Sequence, residues 1–570
     1  MDIKEQANFI WSIADLLRGN FKQSEYGKVI LPFTVLRRFD CVLAPSKEEI
    51  LERNKSLAVS NKAPIFKKYT GHDYYNVSKF DFEKLIDDSN NIDTNLKDYI
   101  NGFSDDVKEI LGNFEIATII EKLKKAGLLY LVVQKFSEIN LGADTIDNLE
   151  MGYMFEELIR KFSEQSNETA GEHFTPREVI ELMVEVLLDT DLDEITTTDG
   201  KVITILDPAC GTGGMLSIAQ NKIRALNSRT TVVPFGQELN PETYATCKSD
   251  MILKNNTNSK IVFGNSFSED GFREQKFDYI LSNPPFGVEW KKVKNFIENE
   301  SKHKGYDGRF GAGTPRISDG SLLFLQHMIS KMQPIEKGGS RIGIVFNGSP
   351  LFSGDAGSGE SEIRKWIIEK DLLEAVIGLP DQLFYNTGIS TYVWILTNRK
   401  TDRRKGKIRL INGTSFFGKM RKSLGNKRNE ITESDRKEIV RLYSTYEHDE
   451  NYIDFDNDDF GYRKITIERP LYDENREVVV EKGNPKPNSK LRDTETVPFK
   501  EDIHEYFKRE VLPHVPDAWI DEKKTKIGYE IPFTRHFYKF TPLRESSVIL
   551  DEIKQLEEKI QKSLNELFKG

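Results

Sequence analysis

Asn283-Pro284-Pro285-Phe286 follows the apolar run Phe277-Asp278-Tyr279-Ile280-Leu281, and few chemistries place an amide and two prolines at the end of a strand. An asparagine there sets a side-chain oxygen at the carboxyl edge of a parallel sheet, where open α/β folds bind ligands. Pro285 fixes its own φ and biases Pro284 toward extended geometry, which holds the Pro284 carbonyl outward. Two acceptors then converge on one point, and Phe286 adds a flat apolar face on which a heteroaromatic ring can stack. The implied substrate is an exocyclic amino group on a base.

A reaction partner for that amine needs its own place. Val202-Ile203-Thr204-Ile205-Leu206-Asp207 reads as a strand running into Pro208-Ala209-Cys210-Gly211-Thr212-Gly213-Gly214, a glycine-rich turn, with a helix opening at Met215. Glycines there permit positive φ and close backbone approach by a ligand. The turn lacks the Gly-Lys-Ser/Thr ending of a triphosphate loop and the third spaced glycine of a dinucleotide fingerprint. The next strand ends in Glu238, a carboxylate at the adjacent strand tip to which ribose hydroxyls can donate. An adenosyl cofactor without phosphates fits this arrangement.

Asp207 to Gly214, Glu238 and Asn283-Pro284-Pro285-Phe286 together resemble the S-adenosylmethionine and catalytic motifs of amino-methylating DNA adenine methyltransferases. Glu172-His173-Phe174-Thr175-Pro176-Arg177 is similar to the cofactor-contacting motif that opens the catalytic domain of this class. Asp459-Phe460-Gly461-Tyr462-Arg463-Lys464 and Gly528-Tyr529-Glu530-Ile531-Pro532-Phe533-Thr534-Arg535-His536 extend the resemblance, over nearly the whole chain, to the modification subunit of type I restriction-modification systems. The fold this implies is the α/β, Rossmann-like, mostly parallel sheet of S-adenosylmethionine-dependent methyltransferases, with an N-terminal helical bundle and a C-terminal helical extension.

The resemblance also implies S-adenosyl-L-methionine as cofactor, contacted by Glu172, His173, Phe174, Thr175, Pro176, Arg177, Asp207, Gly211, Thr212, Gly213, Gly214, Glu238 and Asn265. Asn265 stands where many members of the family carry an acidic residue. Asn283, Pro284, Pro285 and Phe286 would hold the amine of an adenine flipped out of the duplex. Methyl transfer from a sulfonium is a direct displacement, so no metal is expected. The implied partners are double-stranded DNA, a specificity subunit that chooses the target sequence, a restriction subunit in the full complex, and a second copy of this chain on each specificity subunit. An RNA-base or protein-amide methyltransferase is the alternative, since Asn-Pro-Pro-Phe occurs there too. So is a scaffold subunit with vestigial methylation.

Composition bounds these readings. At 570 residues the chain exceeds one ordinary domain. Hydrophobic residues at 38% and charged residues at 30% describe a globular protein, and the longest strongly apolar run, 128–133, is far too short to cross a bilayer. Cys41, Cys210 and Cys247 form no disulfide framework, and no basic segment leads into an apolar stretch at the start, so the expected home is the cytoplasm. A net charge of -10 is unsuited to lone binding of DNA.

The expected division is a helical domain 1–145, a catalytic domain 146–475 and a C-terminal extension 476–570 ending in a partner-docking helix, although strand and helix periodicity itself fades beyond 400. Phe9, Ile10, Ile13, Leu16 and Leu17, then Ile116, Ile119, Ile120 and Leu123, recur at helical spacing. From 146 to 400 strands alternate with helices, which predicts a parallel sheet covered by helices. The Gly-rich, basic stretch 298–320, with Lys302, His303, Lys304 and Arg309, reads as a long loop closing over DNA. Arg399, Lys400, Arg403, Arg404, Lys405 and Lys407, then Lys419, Arg421 and Lys422, read either as a DNA contact or as a solvated loop. Near the C-terminus Ile549, Ile553, Leu556, Ile560, Leu564 and Leu567 form an apolar seam suited to packing on another helix. Two other motifs fail. Asp454 to Asp458 mimics a calcium loop but lacks its glycine and terminal glutamate, and Asp517 with Glu522 and Lys524 lacks the carboxylate separation of a nuclease.

Overall fold

The structure, a computed structural model, describes residues 3–166, 175–254, 258–384, 388–424, 426–537 and 545–567. The chain forms two compact units, Met1–Ile531 and Pro532–Gly570.

In the first unit, helices fill the N-terminal region from Ile3–Leu17 to Leu129–Ser137. Ile10, Ile13, Leu17, Ile116, Ile119, Ile120 and Leu123 are all buried in one core, and Phe9 and Leu16 pack on its rim. The spacing that predicts these helices therefore also identifies the faces they bury. The same core takes in Met151, Met154, Phe155 and Leu158 of the helix Asn148–Ser166, and Ala245 and Leu253 of the helix Pro241–Leu253. Glu109 fixes the junction, accepting from the Tyr244 hydroxyl at 2.6 Å and pairing with Lys248 at 2.7 Å.

The central sheet has nine strands: β1 (Val202–Asp207), β2 (Thr231–Glu238), β3 (Lys260–Phe263), β4 (Tyr279–Ser282), β5 (Arg341–Asn347), β6 (Leu373–Gly378), β7 (Thr391–Thr397), β8 (Lys407–Asn412) and β9 (Tyr452–Asp456). Their order is β9-β8-β6-β7-β5-β4-β1-β2-β3. The run from β3 to β5 is parallel throughout, as is the pair β6 and β8, while β7 and β9 run antiparallel to their neighbours. Strands β5, β6 and β7 are buried almost end to end and mainly apolar, without the alternation of a half-exposed strand, and the two charges they carry, Arg341 and Glu374, pair with each other at 2.7 Å. In consequence the tips of β1, β2 and β4 share one edge with those of β5 and β6.

Residues 461–529 form a separate four-stranded antiparallel sheet within the same unit. Here the two tail motifs pair with each other, Gly461 opposite Tyr529 and Tyr462 opposite Gly528. A Cβ on Gly528 would meet the Tyr462 ring at 2.3 Å, so the ring lies directly over the glycine and a larger residue there would have to displace it. The Tyr529 carbonyl accepts from Arg364 and the Ile531 amide donates to the Leu351 carbonyl, which straps this sheet to the segment after β5.

The second unit contains the helix Ser546–Leu567. Ile549, Ile553, Leu556 and Ile560 are 42% to 59% exposed, so the described part of the predicted seam lies open. Among the described residues no helix is long and apolar enough to cross a membrane.

Candidate active site

The site is built from three strand tips and the turns that follow them. β1 ends in Asp207, and the chain then turns through Gly211 and Gly213, both at positive φ, into the helix Gly214–Leu226. At Gly213, φ is +85° and a Cβ would meet the Cys247 sulfur at 2.7 Å. Both facts demand glycine. The Cys210 amide donates to the Gln237 carbonyl at 3.1 Å, tying the turn to β2.

Glu238 completes that tie. One carboxylate oxygen accepts from the Gly211 amide at 2.9 Å and the other from the Asn240 amide at 2.7 Å. Each oxygen keeps a lone pair for a further donor. Asp207 is buried, and its Oδ1 accepts from the Ala209 amide at 3.0 Å and the Ser282 hydroxyl at 2.9 Å, which joins the tips of β1 and β4. Burial pushes the Asp207 carboxyl up to about 7; the Ala209 and Ser282 hydrogen bonds oppose this and the Glu238 charge adds to it. A carboxyl raised in the folded state favours folding below its unfolded value of 3.8 and loses that contribution as pH rises to about 7. Asp207→Asn should therefore melt higher than the parent at alkaline pH, by at most about 4 kcal/mol of stability, with the gap closing toward about pH 4. Thermal melts across that range check it; a gap that widens on acidification would contradict the assignment.

Asn283 stands one residue beyond β4. Its Nδ2 donates to the Thr175 hydroxyl at 2.9 Å, while its Oδ1 is buried and has no partner. A buried amide oxygen without a donor is costly, so the geometry is that of an acceptor awaiting one. Pro284 is buried and Pro285 half-buried. Phe286 is half-buried against the core beside the sheet and does not line the cavity, so the stacking face expected of it is not presented there.

These groups face a cavity of about 640 Å³ lined by Thr175, Asp207, Gly211, Glu238, Asn265 and Asn283. Of the other residues expected there, Thr212 and Gly214 line it, whereas Gly213 packs behind the turn. Pro176 caps the helix Arg177–Asp189 and Arg177 pairs with Glu181, away from the cavity. Glu172, His173 and Phe174 lie outside the described residues. The Oδ1 of Asn265 accepts from the Phe267 amide at 2.9 Å, which leaves Nδ2 as its free donor, and the Ser266 hydroxyl donates to the Pro208 carbonyl at 2.5 Å.

Several lining residues escape sequence reasoning. Leu239 is 60% exposed beside Glu238 and gives the cavity an apolar wall. Phe155 and Ile159 come from the helix Asn148–Ser166 and close another side. Only adjacency to a strand-tip carboxylate hints at Leu239, and no local signal marks the other two.

Two basic stretches take different roles from those expected. Within 298–320, the helix Lys294–Lys304 occupies the start, and Arg309 is drawn inward to pair with Glu300 at 2.7 Å and to donate to the carbonyls of Ser266 and Phe267. It therefore braces the turn after β3 and is not part of an open loop. Arg399 binds Asp191 through both nitrogens at 2.7 and 2.6 Å, Lys400 pairs with Asp371 at 2.6 Å, and Arg404 is buried over the Tyr443 ring. Internal carboxylates and an aromatic face thus take the charge of Arg399, Lys400 and Arg404, while Arg403, Lys405 and Lys407 stay exposed.

Residues 147–460 match the family model described as N-6 DNA Methylase, and residues 6–136 match the HsdM N-terminal domain. The MjaIX type I restriction enzyme methylase subunit of Methanocaldococcus jannaschii is 26% identical over 81% of this chain and 80% of its own length. The HindI methylase subunit of Haemophilus influenzae is 31% identical over 48% of this chain and 55% of its own. Among solved structures, the type I restriction-modification methyltransferase subunit from Streptococcus thermophilus shares the fold, with a TM-score of 0.64 and 22% identity over 81% of this chain and 97% of that one.

Proposed function

The chain belongs to the N-6 DNA methylase family, among the methylase subunits of type I restriction-modification systems, and we propose that it transfers a methyl group from S-adenosylmethionine to the N6 amine of an adenine flipped out of duplex DNA. The buried, unpartnered Oδ1 of Asn283, facing the same cavity as Glu238, carries this reading. S-adenosylmethionine supplies, when bound, an electrophilic methyl group on a sulfonium.

The free lone pairs of Glu238 would accept from ribose hydroxyls, Leu239 would cover one face of the cofactor's adenine, and Asn265 would offer that ring its Nδ2 donor. Asn283 would accept one hydrogen of the target amine through Oδ1 and the Pro284 carbonyl the other, which turns the nitrogen lone pair toward the methyl and stabilises charge as it develops. Thr175 would act as a positioning residue, fixing which end of the Asn283 amide faces the substrate. Extrusion of the base from its pair is required because the amine is otherwise occupied.

We assign 1–145 to a helical domain, 146–475 to catalysis and 476–570 to an extension, and place target choice in a specificity subunit that holds two copies of this chain, with a restriction subunit in the full cytoplasmic complex. Long-read sequencing of host DNA with and without the gene should reveal N6-methyladenine at one defined motif. Methyl groups found only in RNA or protein would refute the reading. The open apolar seam of the helix Ser546–Leu567 is the assigned docking element. Deletion from residue 545 onward should keep folding and cofactor binding but lose co-purification with the specificity subunit and site-specific methylation; a truncated chain that assembles normally would contradict it.

A further inference from the structure

The chain carries an excess of acidic residues, net -10, yet residues 418–430 hold five cations and a single carboxylate, Glu430. They form an antiparallel hairpin, Gly418–Leu424 paired with Lys427–Glu430. Lys419, Arg421 and Arg428 are exposed and, among the described residues, have no ion pair. Arg399, Lys400 and Arg404 of the preceding basic cluster, by contrast, are held by internal partners.

Placement gives the charge a meaning. β5 and β6 are both antiparallel to β7, so β6 runs with β1, β4 and β5, and its following connection 379–384 emerges on the edge that holds Asp207, Glu238 and Asn283. The hairpin is anchored to that connection. The Arg428 amide donates to the Gln382 carbonyl at 2.9 Å, the Asn429 side chain donates to the Asp381 carbonyl at 3.0 Å, and Lys427 donates to the Leu383 carbonyl at 3.0 Å. Lys427 also pairs with Glu178, three residues from Thr175, whose hydroxyl holds Asn283. One buried lysine beside the turn thus ties the returning strand of the hairpin to the helix Arg177–Asp189, which starts two residues after Thr175, the partner of Asn283.

We propose that this hairpin is a DNA-backbone clamp, in which Lys419, Arg421 and Arg428 contact phosphates flanking the base held at Asn283. The proposal rests on the DNA-methylation reading and adds the element that grips the duplex beside the site. Phosphate contacts carry affinity and register with little sequence information. Each neutralised phosphate contributes roughly 0.9 to the slope of log Kd against log salt concentration, so three contacts contribute about 2 to 3.

The test uses the full-length chain with whatever chains co-purify with it, a short fluorescent duplex, and binding measured over a series of KCl concentrations. The combined variant Lys419→Ala, Arg421→Ala, Arg428→Ala should lower the slope by about 2 to 3 and weaken binding to specific and unrelated duplexes alike. S-adenosylmethionine affinity should stay unchanged by calorimetry. The variant Lys419→Arg, Arg421→Lys, Arg428→Lys should retain the parent slope. A parental slope in the alanine variant overturns the clamp and leaves the methylation reading standing. Loss of cofactor affinity together with DNA affinity assigns the three residues to folding and overturns it too. A parent complex that includes the specificity subunit and still binds no duplex, or that methylates RNA instead, overturns both.

Discussion

Replacing Asn283 with alanine is expected to slow methyl transfer about 100- to 1,000-fold, the usual loss for one preorganised electrostatic contact, while S-adenosylmethionine affinity stays near the parent value. The separation follows from placement: Asn283 bonds Thr175 and presents Oδ1 to the cavity, whereas the carboxylates at the tips of β1 and β2 sit on other strands. Alanine gives up the Asn283–Thr175 hydrogen bond, worth about 1 kcal/mol, but also removes a buried oxygen that has no partner, so the two effects oppose and the variant should melt close to the parent. Single-turnover methylation with saturating cofactor is the decisive measurement. Near-normal turnover would remove Asn283 from the catalytic role, and a parallel collapse of cofactor affinity would make it a binding residue.

Glu238→Ala should weaken S-adenosylmethionine binding by roughly 1.5 to 3 kcal/mol, about ten- to a hundredfold. The upper end is expected, because this carboxylate has two duties. It offers lone pairs to a ribose, and it holds the amides of Gly211 and Asn240, which alanine would leave without their acceptor. Glu238→Gln should fall between, since one oxygen survives. Titration calorimetry that finds the alanine variant unchanged would place the ribose elsewhere.

The strand tips of this site are readable in the sequence because each signal is local. A buried strand is a short apolar run, and the residue that ends it falls at the sheet edge, so Asp207, Glu238 and Asn283 come together once the strands are taken as parallel. What a local signal cannot carry is the second use of a side chain. Glu238 as a clamp on Gly211, and Ser282 as the hydroxyl that joins Asp207 to β4, depend on register between strands far apart in the chain. Phe155 and Ile159 reach the cavity only because the helical region packs against the helix after β2. Charge misleads in a different way. Arg309 and Arg404 look like surface cations in sequence, and burial with Glu300 or over Tyr443 is visible only in three dimensions. The tail beyond 460 loses its strand pattern because charges are buried within it, such as Glu468 at the end of its strand, held by Arg492 and Lys524 from outside the sheet.

The position of β7 bears on how the molecule is made. β5 and β6 never pair with each other; β7 lies between them and is the later of the three in the chain. During synthesis both strands must wait, each with a bare edge of unsatisfied amides and carbonyls on an apolar surface, until residues 391–397 leave the ribosome and slide in. Closing a sheet by late insertion of a central strand relies on contacts distant in sequence, which slows folding and lengthens exposure to aggregation. Nascent chains stalled before β7 has emerged should thus be clients of chaperones, whereas those that expose it can join β5 to β6 and need only β8 and β9 to finish the sheet.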